Sequence, residues 1–227
     1  MKETVTGKVL SVNVGGIREF DYEGRPARSA IWKAPVGGRV RLRGVNLDGD
    51  EQADRRAHGG PDKAVYAYGI EDQGWWAQTV GRPLAFGEVG ENLTTEGIDV
   101  TGALVGERWQ VGAALLEVSE PRIPCWRLGV RMGDKFFPRL FTKAGRPGAY
   151  LRIIAEGDIG AGDDVVVVSR PDHRLSIGDV FRIYVRDRHE AARLIPVPQI
   201  SDAWKEWAAR QGERAAGPDE DEAPGCG

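Results

Sequence analysis

The run Val165-Val166-Val167-Val168 consists entirely of β-branched residues, and it predicts a buried central strand in a mainly β fold. Near the other end of the chain, residues 8–14 place Leu10, Val12 and Val14 at a period of two, which predicts a strand with these three on one face. Further strands are predicted at residues 39–43, 64–68 and 114–118. Many short strands separated by Gly and Pro turns indicate a closed β-barrel.

Short helices interrupt and follow the predicted strands. Residues 71–80 and 138–144 have helical patterns, and Gly145 is suited to end the second helix. After residue 170 the apolar period becomes helical, and Ser176 with Asp179 three residues later predicts a capped helix start. Two more helices are predicted from Asp187 and Ser201. We therefore predict a barrel domain at 1–170, a three-helix appendage at 171–216 and a disordered acidic tail at 217–227.

The composition of the 227 residues excludes several classes of protein. Lys and Arg number 31 against 34 Asp and Glu, a formal net charge of −3, which argues against a duplex nucleic-acid binder. An apolar run of about 18–20 residues, as a membrane helix needs, is absent from the sequence, and the first residues have no secretory pattern, so a cytoplasmic location is expected. Two cysteines and three histidines predict neither a disulfide framework nor a four-ligand zinc site.

The stretch Pro121-Arg122-Ile123-Pro124-Cys125-Trp126-Arg127 contains the first candidate for chemistry. Each proline favours extended geometry in the residue before it, which stiffens the segment around Cys125. If Arg122 or Arg127 approaches the sulfur, it stabilises the thiolate and lowers the thiol pKa below its ordinary value of about 8.5. Thiolate attacks electrophiles and binds soft metals. The alternative is a buried, inert cysteine.

Two glycine-containing segments could bind an anion or a heterocycle. In His58-Gly59-Gly60-Pro61-Asp62-Lys63 the paired glycines could form an anion nest, with His58 and Lys63 adding donors. The alternative is an ordinary turn before a strand. In Gly87-Glu88-Val89-Gly90-Glu91-Asn92-Leu93-Thr94-Thr95-Glu96-Gly97, carboxylate, amide and hydroxyl groups suit the polar edge of a heterocycle. The alternative there is a solvated hairpin.

Arg146, in Lys143-Ala144-Gly145-Arg146-Pro147-Gly148-Ala149-Tyr150, lies between a predicted helix end and a strand. Its guanidinium could clamp a phosphate. The alternative is a helix cap followed by a solvated arginine.

Taken in order, these four segments resemble the MOSC family, named after the C-terminal domain of molybdenum cofactor sulfurases, and in particular its YiiM-like bacterial branch. The match includes residues 58–68, 90–97, 121–126 and 145–152. The appendage, especially residues 177–184, resembles the three-helix domain that follows the barrel in this branch. The resemblance covers nearly everything except the C-terminal tail. One departure is Val89, where the family usually has an aromatic residue.

The resemblance implies a β-barrel that binds molybdenum cofactor, in which a pterin dithiolene with a phosphate tail holds the metal. Cys125 would coordinate the molybdenum and serve as the catalytic residue. The residues expected to hold the rest of the cofactor are His58, Gly59, Gly60, Asp62, Lys63, Glu91, Asn92, Arg122, Arg127 and Arg146. Pyridoxal phosphate binding is not expected.

The implied reaction is the reduction of N-hydroxylated compounds, such as hydroxylaminopurines, hydroxylamines or amidoximes, to amines. The sequence contains neither a Gly-x-Gly-x-x-Gly fingerprint nor a cysteine cluster for iron–sulfur. Electrons are therefore expected from a separate flavin-type reductase.

Two other function classes stay open. One is a non-enzymatic carrier of molybdenum cofactor or of sulfane sulfur on Cys125, and the other is a barrel with an unrelated ligand. Trp204 and Trp207 could dock the reductase or form a homodimer face, and the competing interpretation is that both pack the three-helix core.

Overall fold

The computed structural model describes residues 6–53 and 59–215, and thirteen short strands lie in the described chain up to Ser169. The strands are β1 (Thr6–Val14), β2 (Arg18–Tyr22), β3 (Arg25–Ser29), β4 (Ala34–Pro35), β5 (Arg39–Arg43), β6 (Asn46–Leu47), β7 (Val65–Gly69), β8 (Leu93–Glu96), β9 (Arg108–Val111), β10 (Ala114–Pro121), β11 (Ala149–Ala155), β12 (Gly157–Gly160) and β13 (Asp164–Ser169).

Seven of the described strands close into a barrel, as the sequence predicts. The order around the ring is β13-β9-β10-β11-β7-β8-β1, and β1 pairs back onto β13. The pair β7–β8 is parallel, and the other ring pairs are antiparallel. β5, β6 and β12 form a second small sheet, and β2 with β3 forms a separate hairpin. Closure gives each ring strand two neighbours, so the ring has no unpaired edge.

Two expectations about strand faces are wrong. Val165–Val168 lies in a ring strand, but Val168 is 53% exposed, because a barrel strand turns alternate side chains outward. Residues 8–14 lie in β1, yet Leu10 is only half-buried while Val9 and Val12 enter the core. The pairing of β1 with β8 shifts register between Val9 and Ser11, and such a bulge changes which side chains face inward.

The helices agree with the sequence except in two places. They are α1 (Ile70–Val80), α2 (Trp126–Met132), α3 (Phe137–Ala144), α4 (Ile177–Val185) and α5 (Asp202–Ala215), with 3₁₀ helices at Pro61–Lys63 and Arg188–Leu194. The sequence gives no warning of α2, and the segment from Asp187 forms a 3₁₀ helix rather than an α-helix.

Two predicted helix ends are confirmed. Ser176 and Asp179 form a reciprocal capping box at the start of α4. Gly145 ends α3 in the left-handed conformation. The domain boundaries stay a prediction, and the tail at 217–227 lies outside the described residues.

The barrel interior and the helices bury two apolar clusters. The larger cluster fills the barrel and continues into α4, the Arg188–Leu194 helix and α5. The smaller cluster is mainly aromatic, with Tyr66, Tyr68, Trp76, Phe137 and Phe141 among its members, and it joins β7, α1 and α3. Across the described ranges, each helix is too short or too polar to span a lipid bilayer.

Candidate functional site

Cys125 lies where the chain leaves the barrel and begins a helix. β10 ends at Pro121, and Cys125 is the extended residue directly before α2. The residue is half-buried. Its side chain belongs to the walls of two neighbouring cavities, which also share Lys63, Ile123 and Tyr150. Cys125 is therefore placed at a junction rather than inside apolar packing.

The first of these, which we call the cationic cavity, lies on the barrel side of Cys125. It encloses about 100 Å³. The charged described residues that line it are Lys33, Asp50, Glu51, Lys63, Arg122 and Arg127. Four cations against two carboxylates give this wall a positive excess, which favours an anionic ligand.

Arg122 is the most deeply buried cation of the cationic cavity, at 7% exposed. Its guanidinium donates to the backbone oxygen of Val89 and lies 5.2 Å from the ring centre of Tyr66. Burial alone would lower the pKa of Arg122, but the nearby Tyr66, Tyr150 and Cys125 outweigh it and the pKa is raised. Arg122 therefore keeps its charge beside Cys125.

Lys33 and Asp50 form a buried ion pair in the same wall, with Lys33 Nζ 2.5 Å from Asp50 Oδ1. Burial lowers the pKa of Lys33, and the contacts with Asp50 oppose the shift. Asp50 also accepts hydrogen bonds from the Gly15 N–H and from Asn92 Nδ2. The carboxylate thus has a fixed orientation.

The second space, which we call the aromatic cavity, lies between the barrel and the helical appendage. It encloses about 300 Å³. Its lining residues are Lys63, Glu120, Pro121, Ile123, Pro124, Cys125, Tyr150, Tyr184, Ala203, Trp204 and Trp207. Trp204 is buried and Trp207 is half-buried, so both pack against the core and also present surface to this space.

Lys63, which lines both cavities, forms an ion pair with Glu120, which lines the aromatic cavity. Lys63 Nζ is 3.3 Å from Glu120 Oε1. Burial raises the pKa of Glu120, and the neighbouring Lys63 opposes the shift. A carboxyl group with a raised pKa can hold a proton closer to neutral pH than an exposed one.

The turn before β11, which leads into Tyr150, is fixed by hydrogen bonds from two tyrosines of β7. Tyr66 Oη donates to the Pro147 backbone oxygen, at 2.7 Å, and Tyr68 Oη donates to that of Arg146. Gly148 has φ +64°, and a Cβ there would lie 2.6 Å from the Tyr68 ring. Only glycine lets the two segments approach so closely.

The structure brings together five of the ten sequence-predicted site residues that it describes. Lys63, Asn92, Arg122, Cys125 and Arg127 line the cationic cavity, whereas Gly59, Gly60, Asp62, Glu91 and Arg146 do not line it. His58 lies outside the described residues. The Asn92 amide bonds to Asp50 and to the backbone of Asn13 and Tyr66, so Asn92 positions the wall.

The predicted residues away from the cavity have other partners. Gly60 N–H donates to Gln52, and Asp62 accepts from Arg152 at 2.5 Å. Arg146 pairs with Asp72 and lies 5.1 Å from the ring centre of Trp75. Glu91 is fully buried behind the wall, with hydrogen bonds from Gln73, the Gly87 backbone and Thr94. The interpretation of the 87–97 segment as a solvated hairpin is therefore wrong.

Sequence reasoning missed Lys33, Asp50 and Glu120 as wall residues. Lys33 and Asp50 lie in loops without a motif, and they meet only because the chain folds back after β6. Glu120 directly precedes the quoted Pro121–Arg127 stretch, and its place at the end of the strand Ala114–Pro121 was the signal that could have identified it.

With the fold and the site described, the chain can be compared with known proteins. The family model for the MOSC domain matches residues 54–166. A protein called YiiM from Escherichia coli (strain K12) is 34% identical over 164 residues, which are 71% of this chain and 72% of that protein. A protein called Reductase from Gibberella moniliformis is 32% identical over 193 residues, and the match covers 83% of this chain and 34% of that longer protein.

A solved structure agrees with the sequence relatives. The crystal structure of YiiM from Geobacillus stearothermophilus has a TM-score of 0.74 and 30% identity, and it covers 90% of this chain and 98% of that one. The chain belongs to the MOSC domain family, and it fits the YiiM-like branch.

Proposed function

We propose that this protein binds molybdenum cofactor in the cationic cavity and reduces N-hydroxylated compounds to amines. The observation that supports this most directly is the position of Cys125, a soft ligand at the junction of a positively charged cavity and a second cavity. MOSC domains are associated with molybdenum cofactor in general, and one relative carries the name reductase.

The residues present fit the chemistry of this cofactor. The pterin and its phosphate are anionic, and Lys33, Lys63, Arg122 and Arg127 supply donors along one wall. Arg122 is a buried cation that donates to a backbone carbonyl and lies over two aromatic rings, and an anionic ligand in the cavity would give it a further charged partner. Cys125 would hold the metal, and Lys63 and Arg122 would orient the anionic part.

The reaction consumes two electrons and two protons: R–NHOH + 2e⁻ + 2H⁺ gives R–NH₂ + H₂O, with cleavage of the N–O bond. The bound cofactor supplies the two-electron redox chemistry. A separate flavin-type reductase would supply the electrons. Of the chain's own groups, Glu120 Oε1 and Lys63 Nζ, 3.3 Å apart beside Cys125, are placed to hold protons for the leaving oxygen and the amine.

Metal analysis of two cysteine variants tests this function. The full chain is produced in a molybdate-fed host, and molybdenum per chain is measured for the wild type, Cys125→Ser and Cys226→Ser. We expect Cys125→Ser to lose most of the metal, because a hydroxyl is a harder and weaker ligand than a thiolate. Cys226→Ser, which changes the chain's other cysteine, should load like the wild type.

Turnover completes the test. The loaded wild type should reduce a hydroxylaminopurine with a chemical reductant, and Cys125→Ser should not. Equal molybdenum in Cys125→Ser and the wild type would remove Cys125 as a ligand. Bound metal without turnover would instead identify a cofactor carrier. A wild type that contains no molybdenum would contradict the proposal that the protein binds molybdenum cofactor.

A further inference from the structure

The outer side of α3 presents two apolar side chains and several cations to solvent. Phe136, which directly precedes the helix, is 62% exposed, and Leu140, one turn later, is 44% exposed. Arg139 and Lys143 follow Phe136 at i+3 and i+7, so these exposed residues share one stripe of the helix with Leu140. The Lys135 ammonium lies 5.2 Å from the ring centre of Phe136. We call these five residues the α3 face.

The inner side of α3 is buried and approaches the cationic cavity. Phe137 and Phe141 belong to the smaller apolar cluster. The ring centre of Phe141 is 5.7 Å from the guanidinium carbon of Arg122, which lines the cationic cavity. Since a helix with its side chains is about 10–12 Å across, the α3 face lies about one helix diameter from Arg122. A protein that docks on this face would therefore come close to the site.

The cations of the α3 face are not neutralised by the rest of the described chain. Lys135, Arg139 and Lys143 form no ion pair with any described residue. The three arginines of β5, which are also exposed, each pair with an aspartate instead. In a chain with a formal net charge of −3, an unneutralised cationic patch favours a negatively charged partner.

We propose that the α3 face is the docking surface for the electron donor, and that this donor is a flavoprotein with an acidic contact surface. The inference rests on the proposed function, because the reduction of an N-hydroxylated compound consumes two electrons. A reduced flavin, FlH₂, balances the reaction: R–NHOH + FlH₂ gives R–NH₂ + H₂O + Fl. The flavin is oxidised, the N–O bond is cleaved, and the two flavin hydrogens are accounted for in the amine and the water.

The composition and size of the α3 face fit a transient contact with a protein. Aromatic residues and Arg are enriched in protein interfaces, and electron-transfer complexes bury less surface than most specific complexes. A helix that binds a membrane surface instead turns its large apolar side into the lipid. The large apolar side of α3, with Phe137 and Phe141, faces the protein interior. Two exposed apolar side chains among cations therefore favour an acidic protein over a lipid surface.

Binding of flavodoxin, a small acidic protein that carries FMN, tests the docking surface without turnover. Its affinity for the molybdenum-loaded full chain is measured by calorimetry at low and at high salt. We expect the double variant Arg139→Glu/Lys143→Glu to weaken binding about tenfold at low salt, because like charges then face the probe. Its binding should also depend less on salt, because fewer attractive charge pairs remain to be screened.

Two further variants separate the charges of the α3 face from its apolar part and from the net charge. Arg174→Glu/Arg186→Glu reverses two exposed cations of the appendage and changes the net charge equally, and it should bind flavodoxin like the wild type. Phe136→Ala keeps every cation of the α3 face. It should weaken binding about tenfold, as loss of a central aromatic contact can, and should keep the salt dependence of the wild type.

Three results would overturn the proposal. The first is equal flavodoxin affinity in the wild type and in Arg139→Glu/Lys143→Glu, or no binding by the wild type. The second is binding to phosphatidylglycerol vesicles that Phe136→Ala abolishes, without flavodoxin binding, which would assign the α3 face to a membrane surface. The third is a dimer of the free chain that Phe136→Ala dissociates, which would assign the face to a second copy.

The two proposals fail in different ways. With a small chemical reductant, Arg139→Glu/Lys143→Glu should turn over like the wild type, whereas with reduced flavodoxin its turnover should fall together with its affinity. If the loaded wild type turns over with the chemical reductant but the charge reversal leaves flavodoxin binding unchanged, the reductase stands and the docking surface is wrong. If flavodoxin binds through the α3 face but the chain holds no molybdenum or shows no turnover, the face binds an acidic protein and the proposed reaction is wrong.

Discussion

Glu91 is a carboxyl group enclosed by protein, and its environment favours the protonated form. The side chain is fully buried, and Oε1 accepts hydrogen bonds from Gln73 at 2.5 Å and from the Gly87 N–H at 2.6 Å. Oε2 has no partner among the described residues. Burial raises the pKa of Glu91 from the ordinary 4.5 to about 7, and the hydrogen bonds oppose the shift only in part.

This shift makes stability depend on pH. The folded chain keeps the Glu91 proton to a higher pH than the unfolded chain, so the resulting stabilisation is complete below pH 4.5 and is lost as the pH rises to about 7. At about 1.4 kcal/mol per unit, the loss amounts to about 3 kcal/mol. We expect Glu91→Gln to reduce the decline in the free energy of unfolding between pH 4.5 and 7, measured by urea denaturation at several pH values.

The matched control for Glu91 is Glu96→Gln, which alters an exposed glutamate five residues along the same segment. Its pH profile should follow that of the wild type. A Glu91→Gln profile parallel to the wild type would show that Glu91 ionises equally in the folded and the unfolded chain.

At the scale of single elements, the start of α4 shows how a local signal sets a boundary. Ser176 Oγ accepts from the Asp179 N–H at 3.0 Å, and Asp179 Oδ2 accepts from the Ser176 N–H at 3.1 Å. These bonds satisfy backbone donors that the first helical turn would otherwise leave unpaired. The sequence predicts this start correctly because every group involved lies within four residues.

Loss of this cap should destabilise the protein modestly. We expect Ser176→Ala to lower the free energy of unfolding by about 1 kcal/mol, as removal of a helix N-cap typically does. Ser169→Ala, at an exposed strand residue, is the control and should change stability by less than about 0.5 kcal/mol. Chemical denaturation measures both, and equal stability of the two variants would contradict the importance of the cap.

Other elements escape prediction because their causes are not local. α2 has seven residues with Gly129 in the middle, too few for an apolar period to emerge. The bulge in β1 depends on its pairing with β8, more than 80 residues away. Residues Arg188–Leu194 form a 3₁₀ helix, but their apolar pattern is the same as that of a short α-helix, so the sequence does not distinguish the two.

At the scale of the whole molecule, the barrel and the appendage share one apolar core. The loop between β8 and β9 is hydrogen-bonded to the start of the appendage. The Val105 N–H donates to the Leu175 carbonyl oxygen, and the Ile177 N–H donates to the Ala103 carbonyl oxygen. Buried side chains from α4 and α5 belong to the same cluster as those inside the barrel. The appendage is therefore packed onto the barrel over a continuous surface.

A shared core predicts cooperative unfolding. Leu194→Ala removes a fully buried side chain of the appendage and should lower the stability of the entire chain by about 2–5 kcal/mol. Calorimetry should show one transition at a lower temperature. Ile195→Ala, at the next residue and 46% exposed, should have a much smaller effect. Two resolved transitions, of which only one moves, would mean that the appendage unfolds independently.

The candidate site was predictable where its residues are consecutive and not where they meet through folding. Cys125, Arg122 and Arg127 come from one stretch, and the cationic cavity contains all three. Lys33, Asp50 and the appendage tryptophans meet Cys125 only because the barrel closes and α5 packs against it. Glu91 was predicted from its residue type, but it lies behind the cavity wall, where Gln73 and the Gly87 N–H donate to its Oε1.

The two cavities are separated by the same few side chains, Lys63, Cys125 and Tyr150 among them. A ligand in one cavity therefore changes the electric field and the shape of the other cavity. Thermodynamic linkage requires this influence to be mutual. If the first ligand raises the affinity for the second by some factor, the second raises the affinity for the first by the same factor. The order of filling then has no effect on the total free energy, and either molecule can be used to stabilise the complex with the other.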